Sequence, residues 1–218
     1  MKESVMPYGI FLLKVDFLER GDAYARALEQ VSPARREKAA RLKHDSDRRL
    51  CVGAGLLLEY ILDGLGAAGK QRLTEYAPSG RPFLPAFPGV GISIAHSGKY
   101  ALAACLEGRV GADVQALIPR PEKLFRLLSG EELAFCRDDP QRFTRLWALK
   151  EAYGKYTGEG LGYSPVTIGF DGGTPCIPGA SCRLYEYPAL EGHFTACCAD
   201  GDRPPLKLLL PRDVMRHQ

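Results

Sequence analysis

The chain has 218 residues, 45% of them hydrophobic and 25% charged, enough to bury a real core as one domain or as two small halves packed together, and too apolar for a disordered chain. A formal net charge of +3 permits an anionic ligand without demanding nucleic acid. Seven cysteines, odd in number and with no C-x-x-C pair, argue against a secreted disulfide framework or a zinc site and fit buried, reduced thiols. The apolar run Tyr8 to Leu13 is broken by Lys14 and Asp16, too short for a signal peptide, and no segment approaches the ~20 apolar residues of a membrane span. The expectation is a soluble, cytoplasmic protein with neither membrane nor nucleic acid as partner.

In chain order, Ile10 to Phe17 is rich in β-favouring residues and predicts a strand, and Asp22 to Val31 carries Tyr24, Ala27, Leu28 and Val31 at helical spacing. Ser32 before Pro33 marks a helix start, and Arg35, Arg36, Lys38, Arg41 and Lys43 crowd the helix that follows. Ser46 or Asp47 can cap the next, with Leu50, Ala54, Leu57 and Ile61 on one face and Gly64 and Gly66 at its end. Ala77 to Gly91 is rich in proline and glycine and reads as a long ordered loop. Ile92 to Ala95, Tyr100 to Leu106 and Val110 to Gln115 read as strands, the last two joined through Glu107-Gly108 as a tight hairpin. Pro140 opens a helix with Phe143, Leu146, Trp147 and the stem of Lys150 on its buried stripe, ending near Gly158. Strands are then expected at 166–170, 182–186, 193–199 and 206–210, so the second half repeats the helix-then-sheet order. Tyr100 to Cys105 and Phe194 to Cys198 are faintly alike, a hint of two related halves.

Two stretches carry the chemistry. In Gly111-Ala112-Asp113-Val114-Gln115, Asp113 and Gln115 share one face of the strand and Gly111 leaves bare space beside them. A carboxylate and an amide oxygen so placed suit a hard cation such as magnesium, although a strand-end aspartate facing solvent has the same spacing. On the later helix Glu151 and Lys155 lie one turn apart, after the single tryptophan, Trp147. A surface ion pair worth about 0.3–0.5 kcal/mol explains that spacing as well as an active site does. A carboxylate there supplies metal ligation or a general base, and a lysine offsets charge on a transferring phosphoryl group.

Gly111-x-Asp113 followed by Trp147-x-x-Lys150-Glu151-x-x-x-Lys155 resembles the signature of the 4′-phosphopantetheinyl transferases, in particular the larger, monomeric class that activates peptide and polyketide synthases. Further elements in the same order are similar: Arg36-Glu37-Lys38 and Arg48-Arg49 to that family's basic helices, Gly80-Arg81-Pro82 to its Gly-Lys-Pro, Ala95-His96-Ser97-Gly98 to its Ser-His-Ser, and Ser129-Gly130-Glu131-Glu132 to its Ser-x-x-Glu. The resemblance implies an α+β fold of two similar halves related by a pseudo-two-fold axis, residues 1–110 and 111–218, with coenzyme A in the cleft between them.

It also implies transfer of the phosphopantetheine arm of coenzyme A to a serine of an apo acyl or peptidyl carrier protein, leaving adenosine 3′,5′-bisphosphate. By position, Asp113 and Glu151 are the implied ligands of magnesium or manganese, with Gln115 a third, directly or through water. Lys155 faces the diphosphate, and Glu151 is the candidate to accept the serine proton. Arg35, Lys38, Arg49 and Arg81 are assigned to the 3′-phosphate and adjoining groups, and Pro82, His96, Ser97 and Lys150 complete the coenzyme A set. The family often has an acid where Gln115 stands, so weaker metal binding is expected here. Glu132 is a further acid near the site, and Leu124, Phe125 and Leu128 form either an apolar patch for a carrier helix or part of the core. The transferase reading competes with two others: a non-catalytic module that binds coenzyme A or a carrier, and a magnesium-dependent phosphodiesterase of another nucleotide.

Overall fold

The structure is a computed structural model that describes residues 7–160 and 166–216. β1 (Gly9–Lys14) is apolar along its length because both of its faces are buried: Phe11 and Leu13 enter one core, Ile10 and Leu12 another. A 3-10 turn (Asp16–Glu19) leads to α1 (Gly21–Gln30), α2 (Pro33–Ala40) and α3 (Asp45–Gly64). Ser32 caps α2 as expected, its Oγ accepting from the Arg35 amide at 3.3 Å. α3 begins ahead of its expected caps. Ser46 and Asp47 lie in its first turn, where Asp45 and Asp47 set negative charge against the unpaired N–H groups of the helix end.

The chain continues through β2 (Glu75–Tyr76), β3 (Pro82–Phe83), β4 (Val90–Ser97), β5 (Tyr100–Glu107) and β6 (Val110–Ala116). Beyond a 3-10 turn (Glu122–Leu127) come α4 (Gly130–Cys136), α5 (Pro140–Thr157), β7 (Gly169–Asp171), β8 (Thr174–Cys176), β9 (Arg183–Leu190), β10 (His193–Ala199), β11 (Leu206–Leu209) and α6 (Pro211–Val214). The proline-rich stretch is a loop that holds β3, paired back to β2, and runs into β4 at Val90, and the strand expected from residue 166 starts at Gly169.

The first sheet has the order β11-β1-β5-β4, with β11 parallel to β1 and the other pairs antiparallel. The second, β6-β10-β9, is antiparallel throughout. The hairpin expected between β5 and β6 does not form. Both edges of β5 are taken, by β1 on one side and β4 on the other, so the chain steps at Gly108 into the second sheet. The hairpin lies instead between β4 and β5, turning at Gly98 with φ of 58°.

The layers run helix, sheet, sheet, helix. α3 packs Leu56, Leu57 and Ile61 on the outer face of the first sheet, and α5 packs Phe143, Leu146, Trp147 and Leu149 on the outer face of the second. The inner faces meet in a third core, where Ile10, Leu12 and Leu102 face Val110, Ala112 and Val114. This is the expected mixture of helix and sheet. All seven cysteines are free and five are buried; among the described residues no helix is long and apolar enough to cross a membrane.

Side chains stitch the two sheets together. Ser93 Oγ, buried on β4, accepts from the Ala112 amide at 3.0 Å and donates to the Ala112 carbonyl at 3.3 Å. Four residues on, Ser97 Oγ accepts from the Ala116 amide at 3.1 Å. At the adjoining turn, His193 Nε2 of β10 accepts from the Lys99 amide at 3.2 Å, while its ring stands edge-on to Tyr100.

The other side of β6 lies against α5 at backbone range. A Cβ on Gly111 would overlap the Ala152 carbonyl oxygen and the Tyr156 amide nitrogen, so the requirement is for space and the atoms that would have to yield are backbone. Gly111→Ala therefore costs about 1–3 kcal/mol or more, the range of core overpacking. Gly130→Ala, where an added methyl meets open space, stays within about 0.5 kcal/mol. Urea unfolding of both variants checks this, and equal midpoints contradict it.

Candidate active site

Because side chains alternate along a strand, the residues of β6 that face α5 are Gly111, Asp113 and Gln115, while Val110, Ala112 and Val114 enter the inner core. α5 is fixed at its start by Asp139, whose Oδ1 accepts from the amides of Gln141 and Arg142 at 2.9 and 3.1 Å, and by Pro140 in its first turn. It ends at Gly158, left-handed with φ of 79°. Between these limits the helix carries Glu151 and Lys155 to Asp113. Lys155 Nζ lies 2.6 Å from Asp113 Oδ1 and 3.2 Å from the Ala112 carbonyl.

Asp113 is only 5% exposed, and its Oδ2 is a buried oxygen with no hydrogen-bond partner among the described residues. Burial pushes the Asp113 carboxyl above its ordinary pKa, against the opposing pull of Lys155. The Glu151 carboxyl is raised as well, by burial first and by the charge of Asp113 second. Two acids that resist ionising beside each other, one with an unsatisfied oxygen, fit a hard cation, which relieves the repulsion and supplies the absent partner. Among the described residues no cluster of three or more His, Cys, Asp or Glu side chains is gathered, so the protein offers two carboxylates at most. Gln115 uses its amide nitrogen on Ser97 Oγ and on its neighbour's carbonyl, both at 3.2 Å.

A cavity of about 150 Å³ opens beside this group, lined by Gly80, Arg81, Pro82, Ser93, Glu151 and Lys155 among others. Residues from the loop, β4 and α5 that are distant in sequence thus meet here. Burial, and then Arg109, lowers the pKa of the Arg81 guanidinium from its ordinary value. His96 stands on β4, its imidazole held below the usual range by lost hydration and then by Lys38, Lys155 and Arg35. Those cations therefore share its surroundings. Arg35 is 6% exposed and donates to the Tyr76 hydroxyl at 3.2 Å; with Lys38 it borders a larger cavity of about 790 Å³.

Other expected residues are placed elsewhere. Arg49 faces Glu19 at 3.6 Å and lines a different cavity with Lys99. The Ser97 hydroxyl is engaged with β6. Lys150 points away from Glu151, as successive helix positions must, into a buried pair with Glu132 at 2.8 and 2.9 Å, and donates to the Val166 carbonyl at 2.6 Å. Glu132, 1% exposed, also accepts from the amides of Ser129 and Ile168. Neither its carboxylate nor the Lys150 ammonium is free for a ligand. Leu124, Phe125 and Leu128 are half-buried against the second core, with Phe125 and Phe143 ring centres 5.8 Å apart.

Sequence reasoning missed Ser93 and His193, which hold β6 and the His96 turn in place. The one local signal for Ser93 was a hydroxyl residue between Ile92 and Ile94 on an otherwise apolar strand. Taken together, the arrangement can hold a hard cation against anionic oxygens, accept a proton at Glu151 and offset negative charge with Lys155.

Comparison with known proteins points the same way. Residues 109–187 match the family model of the 4′-phosphopantetheinyl transferase superfamily, a span that holds Gly111, Asp113, Glu151 and Lys155. A 4′-phosphopantetheinyl transferase of Bacillus subtilis is 30% identical over 192 residues, covering 82% of this chain and 76% of the relative. The 4′-phosphopantetheinyl transferase Sfp of Bacillus subtilis (strain 168) is 26% identical over 209 residues, 88% of this chain and 91% of its own. An L-aminoadipate-semialdehyde dehydrogenase-phosphopantetheinyl transferase of Xenopus laevis is 28% identical over 162 residues, 65% of this chain and 54% of that relative.

The raised Glu151 carboxyl has a measurable consequence for the protein studied alone. An acid whose folded pKa lies above its unfolded value holds its proton more tightly when folded, so stability falls as pH rises through that interval. Glu151→Gln is therefore more stable than the parent at neutral pH, and the gap closes as pH falls through the raised Glu151 pKa to the unfolded-chain value. Thermal unfolding without added divalent ion from neutral pH to about pH 4, the ordinary carboxylate range, follows the gap. A gap that widens on acidification contradicts the assignment.

Proposed function

The chain belongs to the 4′-phosphopantetheinyl transferase superfamily and is an enzyme of that kind; from this premise we propose that it transfers the phosphopantetheine arm of coenzyme A to a serine hydroxyl of an apo carrier protein. The observation that carries the reading is the meeting of Asp113, Glu151 and Lys155 from two distant segments beside a cavity that also holds Arg81. In the reaction the serine oxygen forms a bond to the pantetheine-side phosphorus, the bridging P–O bond of the diphosphate breaks, and adenosine 3′,5′-bisphosphate leaves.

Asp113 and Glu151 would hold magnesium, with manganese as a substitute, and Gln115 would contribute at most through water. The ion, when bound, draws charge from the diphosphate oxygens and the leaving group. Glu151 accepts the serine proton, directly or through water. Lys155 offsets charge on the diphosphate. His96 donates one N–H to a phosphate oxygen, and Arg35, Lys38 and Arg81 take the phosphates of the nucleotide end. Lys150 and Arg49 are left out of the coenzyme A set because each faces a carboxylate of its own. Ser97 acts through Gln115 and β6, and Pro82 shapes the cavity wall.

The proposal also treats the fold as two related halves meeting near residue 110, with coenzyme A lying between them. In support, β5 and β10 are each inner strands of their sheets beneath a long helix, although β11 returns to the first sheet. A carrier helix docks on the flank of Leu124, Phe125 and Leu128.

Incubation with coenzyme A, magnesium and an apo carrier, followed by mass spectrometry of the carrier, tests the reading. The carrier gains the mass of a phosphopantetheine arm with the parent enzyme and does not with Asp113→Ala or Glu151→Ala. Near-parent turnover by either variant removes that residue from the mechanism, and nucleotide cleavage without a carrier replaces the transferase by a phosphodiesterase. Separately, Gln115→Glu adds a carboxylate beside Asp113, so half-maximal activity is reached at a lower magnesium concentration than in the parent. Superimposable magnesium curves take position 115 out of the metal site.

A further inference from the structure

Lys155 is already engaged by the protein itself. Its ammonium lies 2.6 Å from Asp113 Oδ1 and 3.2 Å from the Ala112 carbonyl, so the polypeptide by itself already supplies a cation to this buried acid. The local charge is simple to count. Asp113 and Glu151 bring two negative charges and Lys155 one positive, leaving one net negative charge, because position 115 is an amide. A dication added to this group gives one net positive charge in a half-buried place, with Lys155 repelling it at close range and Arg81 lining the same cavity. The two negative charges of a diphosphate reverse that balance. They also give the ammonium other oxygens to bind.

We propose that Lys155 is an exchangeable counter-ion that keeps a divalent ion out of the Asp113–Glu151 site until the diphosphate of coenzyme A arrives, whereupon it moves from Asp113 Oδ1 to the diphosphate. This rests on the transferase reading and adds to it an order of binding, with the ion entering with coenzyme A or after it. Asp113 Oδ2, which has no partner among the described residues, marks the oxygen to which the ion binds, and Oδ1 becomes available when the lysine leaves. Premature metal binding to the protein alone is thereby suppressed by the one charge of the Lys155 ammonium. A position-115 carboxylate, by the same count, weakens that suppression.

The test measures manganese binding directly, by the loss of the free-ion signal in electron paramagnetic resonance, first without and then with coenzyme A. The parent binds manganese weakly alone and at least about tenfold more tightly with coenzyme A. Lys155→Met binds the ion without coenzyme A at least about tenfold more tightly than the parent, and Lys155→Arg, which keeps the charge, does not. Lys155→Gln, a second neutral variant that keeps a polar side chain, shows the same gain, so a Lys155→Met protein that fails to fold leaves the role testable. Equal manganese affinity of the parent and of the neutral Lys155 variants, all without coenzyme A, overturns the counter-ion role while carrier modification by the parent still upholds the transferase. Absence of binding by every form even with coenzyme A overturns the metal reading and this inference with it.

Discussion

A strand and a helix come into backbone contact only where no side chain stands between them, and Gly111 is where β6 meets α5. The rest of the site follows from that approach. Two residues along the strand, Asp113 is brought within direct reach of Lys155, and one turn back along the helix Glu151 feels the charge of Asp113. A side chain as small as alanine at position 111 pushes the two elements apart, and displacements of about 1 Å are enough to disable positioned catalytic groups. The glycine thus sets the spacing of the candidate site although its own neighbours there are backbone atoms.

The opposite side of β6 is held by different means. A strand at the edge of its sheet leaves a row of backbone groups unpaired, and here the row is met by Ser93 and Ser97, which do at four-residue spacing what a neighbouring strand does continuously. Behind α5 the buried Lys150–Glu132 pair ties the helix to α4 and to Val166 and Ile168. Removing one partner of such a pair leaves a stranded charge, so the pair fixes orientation more than it adds net stability. Glu151 and Lys150, neighbours in sequence, face opposite fates because a helix turns by about 100° per residue.

The elements β6 and α5, the cap at Ser32, the start at Pro140 and most strands were legible from spacing alone, since apolar periodicity and turn residues act locally. The acids and the lysine stood out as candidates through the resemblance of their order to a family signature, since their offsets alone fit a strand-end aspartate and a surface ion pair equally well. The partner of Lys150 was not legible for a physical reason: its motif marks it as special, and only the packing shows its ammonium paired with Glu132, a residue from a separate helix. Arg49 and Ser97 follow the same pattern, each finding a protein partner that no local rule announces. The β5–β6 hairpin failed because strand pairing is decided by what already occupies an edge, and β1 comes from the far end of the first half. His193 went unnoticed because its partners, the Lys99 amide and Tyr100, are distant in sequence.

The parallel pairing of β11 with β1 joins residues 206–209 to residues 10–13, nearly the whole chain apart. During synthesis from the N-terminus, β1, β5 and β4 can assemble early, yet one flank of β1 must wait for a segment that the ribosome makes near the end. That waiting flank is an open template of N–H and C=O groups bordered by Phe11 and Leu13, the kind of surface that recruits a wrong strand. Loop closure over such a separation is also slow, since its entropy is lost before any pairing energy is gained. Crowded expression, where nascent copies meet, therefore penalises this protein through its folding intermediate more than through its finished form.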